Sequence, residues 1–241
     1  MQIIITKDYK EMSKRAAELI IDEINNKPEF RLGLATGSTP LGMYEELIQL
    51  YKKKKIDFSK VQAFMLDEYY GISKSNKNSY YNYTHNKILN HVNIKKSNFH
   101  ILDSETKNPS KLCKEYNKLI RKNPIDLQIL GVGVNGHIGF NEPGSRKRSK
   151  TRLVRLSDET RKINSRFFKS FNDVPKYAMT MGIGNILKSK KIILLADGKN
   201  KALAIEKLVN GKSSRKWPVS FLKKHKKLIV IVDKEAGRLV R

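Results

Sequence analysis

Short apolar runs alternate with amphipathic helical stretches along this 241-residue chain, and that alternation constrains the fold more than any other feature. Gln2–Ile5, Arg31–Ala35, Val61–Leu66, Phe99–Leu102, Ile125–Val132, Arg152–Leu156, Ala178–Met181, Lys191–Ala196 and Lys227–Val232 read as strands. Between them, Tyr9–Asn25 places Met12, Ala16, Leu19, Ile20 and Ile24 on one helical face. Pro40 suits the first turn of a helix over Leu41–Tyr51. Further helices are expected over Tyr80–Val92, Lys111–Arg121 and Asn200–Leu208, and one capped by Ser157 is expected to run through Phe168. Parallel strands need long crossovers, and helices supply them. The pattern therefore predicts an α/β fold with a mostly parallel sheet and helices on both faces. With no internal repeat or linker-like stretch, residues 1–241 read as a single domain.

Charge is the second constraint. Lys and Arg number 49 against 23 Asp and Glu, for a formal net charge of +26. An anionic partner is expected, but the kind of anion is left open. Lys outnumbers Arg by 37 to 12, whereas nucleic-acid readers lean on Arg for bidentate contacts. The densest basic run, Arg146–Arg155, falls in a loop and strand rather than along a basic helix. No helix-turn-helix, zinc-finger or RNP pattern accompanies it, so specific nucleic-acid binding is not expected. The lone Cys113 excludes an intrachain disulfide or a Cys-rich metal site and suits a reducing compartment, the cytoplasm. The apolar run Ile3–Ile5 is too short for a signal peptide, and no stretch is long enough to span a membrane.

In sheets of this kind ligands bind at the carboxyl ends of the strands, and three segments there carry chemistry. Leu34–Pro40 (LATGSTP) is a glycine turn with three hydroxyls that opens a helix. Thr36, Gly37, Ser38 and Thr39 could hold a phosphate on free N–H groups and the helix dipole, or form an ordinary turn. The segment is not a triphosphate-binding loop. Asp67 and Glu68 follow the Val61–Leu66 strand; a carboxylate there can act as a general base or simply cap a turn. Gly131–Gly144 sets Asn135, His137 and Glu142 among five glycines. His137 suits proton transfer, with Glu142 able to orient it. No second His or Cys stands at metal-ligand spacing in this segment.

LATGSTP, LDEYYG, GVGVNGHIGFNEPG, NSRFF, TMGIG and KALA occur in this order from residue 34 to 204. Together they resemble the glucosamine-6-phosphate deaminase (isomerase) family. The related 6-phosphogluconolactonases have the glycine-histidine loop without FNEPG. The resemblance implies a Rossmann-like three-layer α/β/α fold and conversion of glucosamine 6-phosphate and water to fructose 6-phosphate and ammonia, with neither metal nor other cofactor. It assigns Asp67 as the base at C2, His137 as the ring-opening group, and Asn135 and Glu142 as its supports. It assigns the substrate phosphate to Thr36, Gly37, Ser38, Thr39, Arg166 and Lys201. Some members carry Asp where this chain has Asn135. Members activated by N-acetylglucosamine 6-phosphate carry an Arg and a Lys two apart where this chain has Arg152 and Val154, and they extend further at the C-terminus. Simple hyperbolic kinetics and a monomer are therefore expected.

Overall fold

The computed structural model describes residues 1–27 and 29–240. In chain order the elements are β1 (Gln2–Thr6), α1 (Tyr9–Asn26), β2 (Arg31–Leu34), α2 (Leu41–Lys52), β3 (Gln62–Met65), β4 (Asp67–Tyr69), α3 (Tyr80–Lys87), β5 (Phe99–His100) and α4 (Pro109–Lys122). They continue with β6 (Leu127–Leu130), β7 (Arg152–Arg155), α5 (Asp158–Asn164), β8 (Tyr177–Thr180), α6 (Ile183–Ile186), β9 (Lys191–Ala196), α7 (Ala202–Val209), β10 (Leu228–Asp233) and α8 (Lys234–Gly237). Seven strands form one sheet in the order β1-β10-β9-β6-β2-β3-β5, and its neighbouring strands pair in parallel.

Side chains of the central strands alternate between two cores, as the period of two requires. Ile192 and Leu194 of β9, with Leu228, Val230 and Val232 of β10, meet Ile120 of α4, Ile186 of α6 and Ile205 of α7. Ile193 and Leu195, with Ile229 and Ile231, meet Met12, Ala16 and Ile20 of α1 and Leu47 of α2. This is the three-layer α/β/α arrangement. Both faces of β9 and β10 are covered, which is why these strands are almost wholly apolar.

Not every expected strand joins this sheet. The pieces at 152–155 and 177–180 pair antiparallel and, with β4, make a separate three-stranded sheet in the order β4-β8-β7. Its parts are too short and too widely separated in sequence for periodicity to assign them to a second sheet. The helix expected to run from Ser157 through Phe168 ends at Asn164 and tightens into a 3₁₀ turn over Ser165–Phe167. Ser157 does cap it, accepting the Thr160 N–H.

Asp126, just before β6, fastens the amino ends of three adjacent strands. Its carboxylate accepts the Arg31 N–H (2.9 Å) at the start of β2, Lys27 Nζ (2.6 Å) and, before β9, Lys190 Nζ (2.8 Å). Burial works against its charge, but these three donors outweigh it and hold the carboxyl below its ordinary value. A lowered value in the folded state means the stabilisation is present above the unfolded value of about 4 and is lost as pH falls through the folded value. Asp126→Asn should thus cost about 1–2 kcal/mol in urea unfolding at neutral pH, and the gap from the unaltered chain should close in acid.

Candidate active site

The segment after β6 folds back on itself. The Gly133 N–H donates to the His137 carbonyl and the Gly136 N–H to the Gly133 carbonyl, both at 2.9 Å. Gly136 has φ +79, and a β-carbon there would come within 2.7 Å of the Trp217 ring. A β-carbon on Gly133 would fall 2.1 Å from Cε1 of His137, so the imidazole lies flat over that glycine. Asn135 Oδ1 accepts from the His137 N–H (3.1 Å) and from His137 Nδ1 (2.8 Å), while Asn135 Nδ2 donates to Glu142 Oε2 (3.0 Å). With the proton on Nδ1, Nε2 is left with a free lone pair. Burial lowers the His137 pKa; Glu142 and Glu159 oppose this and Lys201 adds to it. The net result is a half-buried neutral imidazole at physiological pH.

β4 separates the two carboxylates. Glu68 turns to the amino end of α3 and accepts the N–H groups of Tyr69, Tyr80 and Tyr81 at 2.7–2.9 Å. Burial pushes its pKa up to about 7 against those donors, and its task is to seat α3. Asp67 is 5% exposed, and its Oδ1 has no hydrogen-bond partner. Burial first, and the Glu68 charge second, push it up to about 8. A β-carbon on Gly139 would lie 3.2 Å from Asp67 Oδ2, so the missing side chain lets the histidine loop pass beside the carboxyl group. The Asp67 carboxyl group thus lies beside the loop that carries His137.

The Thr36–Thr39 turn follows β2. Tyr83 Oη donates to the Gly37 carbonyl (2.6 Å), and Tyr9 Oη donates to the Ser38 carbonyl (3.1 Å). In a trans peptide the N–H points opposite its carbonyl. The two tyrosines thereby turn the Ser38 and Thr39 N–H groups the other way, and neither meets a backbone acceptor among the described residues. Gly37 has φ +95 and open space around it. The Thr39 hydroxyl donates to Asp197 (2.6 Å), which leaves its N–H as its free donor. Burial lowers the Lys201 pKa; the Asp197 charge opposes this and the Arg166 charge reinforces it. The two cations therefore lie near each other, and Lys201 is also felt by His137. Arg166 is exposed beside the Phe167 ring.

The structure thus draws the sequence-predicted residues to one end of the molecule. It adds Tyr9, Tyr83 and Asp197, which no local pattern marks because their partners are distant in sequence, and Thr160, whose hydroxyl donates to Glu142 Oε1. The other histidines hold local structure: His85 Nδ1 meets the Tyr81 carbonyl, His91 Nε2 that of Asn86, and His225 Nε2 that of Ser189. His100 stacks on Phe64. Among the described residues no group of three or more His, Cys, Asp or Glu side chains is arranged to hold a metal, and no helix is long and apolar enough to cross a membrane.

A buried carboxyl group, an oriented imidazole and a turn with free N–H groups stand at strand carboxyl ends, and comparison with known proteins specifies the family. Residues 7–230 match the family described as glucosamine-6-phosphate isomerases/6-phosphogluconolactonase, and the chain belongs to it. It is 50% identical over 241 residues to a glucosamine-6-phosphate deaminase of Thermoanaerobacter pseudethanolicus, covering all of this chain and 95% of that one. It is 52% identical over 238 residues to that of Clostridium botulinum, covering 98% of each. A solved monomeric glucosamine-6-phosphate deaminase superposes with a TM-score of 0.96 at 41% identity, covering 99% of this chain and 100% of that one. A 6-phosphogluconolactonase from Trypanosoma brucei, at TM-score 0.76 and 20% identity over 100% of this chain and 98% of its own, shares the fold.

A raised carboxyl pKa also affects stability. Asp67 stabilises the fold fully below the unfolded value of about 4, and that contribution drains away as pH rises toward about 8. Asp67→Asn should therefore melt above the unaltered chain in mildly alkaline buffer, by on the order of 1–3 kcal/mol. In thermal unfolding the difference should shrink as the buffer is made acid.

Proposed function

We propose that this chain converts glucosamine 6-phosphate and water to fructose 6-phosphate and ammonia. The observation that carries the proposal is the pairing of two proton-handling groups of different kind, buried Asp67 and oriented His137, beside an anion-binding turn. His137 Nε2 takes the proton from O1 of the closed sugar and returns it to O5, which opens the ring to the aldehyde. Asn135 holds the imidazole in the tautomer this needs, and Glu142 holds Asn135. Ionised Asp67 then removes the C2 proton and delivers it to C1, while the aldehyde oxygen gains the proton that the C2 ammonium gives up, so that C1 becomes a hydroxymethyl group and C2 a protonated imine. The resulting C2 imine takes up water and releases ammonia. The substrate's C2 ammonium, arriving beside Asp67, favours the ionised carboxylate that the empty site disfavours. The Ser38 and Thr39 N–H groups, Arg166 and Lys201 bind the phosphate, Arg166 bidentately and Lys201 as a point charge.

A 6-phosphogluconolactonase activity on the same fold is the second reading. It uses the phosphate turn and the histidine loop but gives a buried base at Asp67 no proton to remove. Turnover of the two substrates decides between them. Relative to the unaltered chain, Asp67→Asn and His137→Ala should each lower ammonia release by about 10²–10⁴-fold with the fold retained by circular dichroism. Arg166→Ala should raise KM for the sugar phosphate by about tenfold or more with a smaller change in kcat.

Arg152 is committed within its own chain, donating to Asn141 Oδ1 (3.0 Å), and the residue two further on is Val154. The chain then acts as a cytoplasmic monomer with hyperbolic kinetics. A sigmoidal rate curve made hyperbolic by N-acetylglucosamine 6-phosphate would contradict this.

A further inference from the structure

We propose that Thr160 is a positioning residue that ties phosphate capture at Arg166 to the orientation of His137. The inference rests on the functional reading above and goes beyond it. Thr160 lies on α5, 6% exposed, and its hydroxyl donates to Glu142 Oε1 at 2.6 Å. The Ser157 hydroxyl donates to Thr160 Oγ1 (3.1 Å), so the Thr160 proton is committed to Glu142. The other Glu142 oxygen accepts from Asn135 Nδ2, and Asn135 Oδ1 accepts from His137 Nδ1. Asn135 Oδ1 also accepts from the His137 N–H (3.1 Å), and Glu142 Oε1 lies 3.6 Å from His137 Nδ1. Glu142 holds the Asn135 amide nitrogen while the amide oxygen faces His137, and Glu142 is held in turn by Thr160.

α5 carries this contact toward the substrate. It ends at Asn164 and passes directly into the Ser165–Phe167 turn, which bears Arg166. Its other anchors lie away from the imidazole. The Arg161 guanidinium donates to the Phe171 and Val174 carbonyls, and Asn164 Nδ2 donates to Tyr69 Oη. Ile163 and Phe167 remain exposed, so apolar packing does not fix the helix there. A phosphate that draws Arg166 toward Lys201 therefore moves or steadies the helix that holds Glu142. Binding energy from a part of the substrate remote from the reacting carbons is converted into alignment of the acid–base group.

Thr160→Val keeps the shape and removes the donor, and Thr160→Ser restores the donor. With glucosamine 6-phosphate, Thr160→Val should lose about tenfold in kcat, the effect of one lost hydrogen bond. KM and the affinity for inorganic phosphate should stay within about twofold, and Thr160→Ser should recover most of kcat. Combined with Glu142→Gln, Thr160→Val should add no further loss, because both act through one path. The ¹⁵N spectrum of His137 should show the Nδ1–H form in the unaltered enzyme and a mixture of tautomers in Thr160→Val. With unphosphorylated glucosamine, inorganic phosphate should stimulate ammonia release by the unaltered enzyme and not by Thr160→Val. Full kcat in Thr160→Val, losses additive with Glu142→Gln, or an unchanged His137 spectrum would overturn the proposal. Should Thr160→Val not fold, Thr160→Ser with full activity and an unaltered spectrum supports it, and Thr160→Ser with the Glu142→Gln defect overturns it. No ammonia from glucosamine 6-phosphate with the unaltered enzyme would overturn the functional reading itself, and this proposal with it.

Discussion

The absence of a side chain at Gly133 is the constraint on which the rest of the site depends. The His137 imidazole occupies the space a β-carbon would take there, and the loop closes through the hydrogen bond from the Gly133 N–H to the His137 carbonyl. Only that fold-back brings Asn135, two residues before the histidine, into reach of Nδ1. Gly139 repeats the device on the other side, where a β-carbon would come within 3.2 Å of Asp67 Oδ2. Two glycines thus set the distance between a base from one sheet and an imidazole from the other. A β-carbon at Gly133 would displace the imidazole, and one at Gly139 would press on the Thr180 hydroxyl and then on the Asp67 carboxyl group.

The two sheets divide the work. The parallel sheet supplies the rigid floor, with β9 and β10 buried on both faces and Asp126 fastening the amino ends of its middle strands. The small antiparallel sheet supplies Asp67, and α5 follows directly on its edge strand β7. Its core is correspondingly small, centred on Tyr69, Ile72, Phe140, Leu156 and Ala178. Elements that must answer to substrate belong where few apolar contacts resist movement. Of the 49 basic side chains, the reading uses two at the phosphate. The remainder set the net charge of +26 without defining the site.

Legibility in the sequence followed the range of the interactions. β9, apolar throughout because helices cover both faces, was readable residue for residue, as was the Ser157 cap, whose partner is three residues away. His137, Asn135 and Glu142 announced themselves because their network lies within eight residues. Asp67 was visible as a carboxylate after a strand, but its separation from Glu68 was not. That separation depends on β4 leaving the parallel sheet to pair with β8, 110 residues later in the chain. Tyr83 and Asp197 carry no local mark, and the mark on Thr160 points to the Ser157 cap rather than to Glu142, since each acquires its further role only through a partner brought near by the fold.

The central claim is that one buried carboxylate, Asp67, carries the hydrogen from C2 to C1 while His137 handles the ring oxygens. It is tested most directly with glucosamine 6-phosphate deuterated at C2, turned over in ordinary water, with the product examined by NMR. A single base shielded from solvent predicts that part of the deuterium reappears at C1 of fructose 6-phosphate, on one face, the rest being exchanged for solvent hydrogen. Complete loss of the label, together with undiminished turnover by Asp67→Asn, would contradict it.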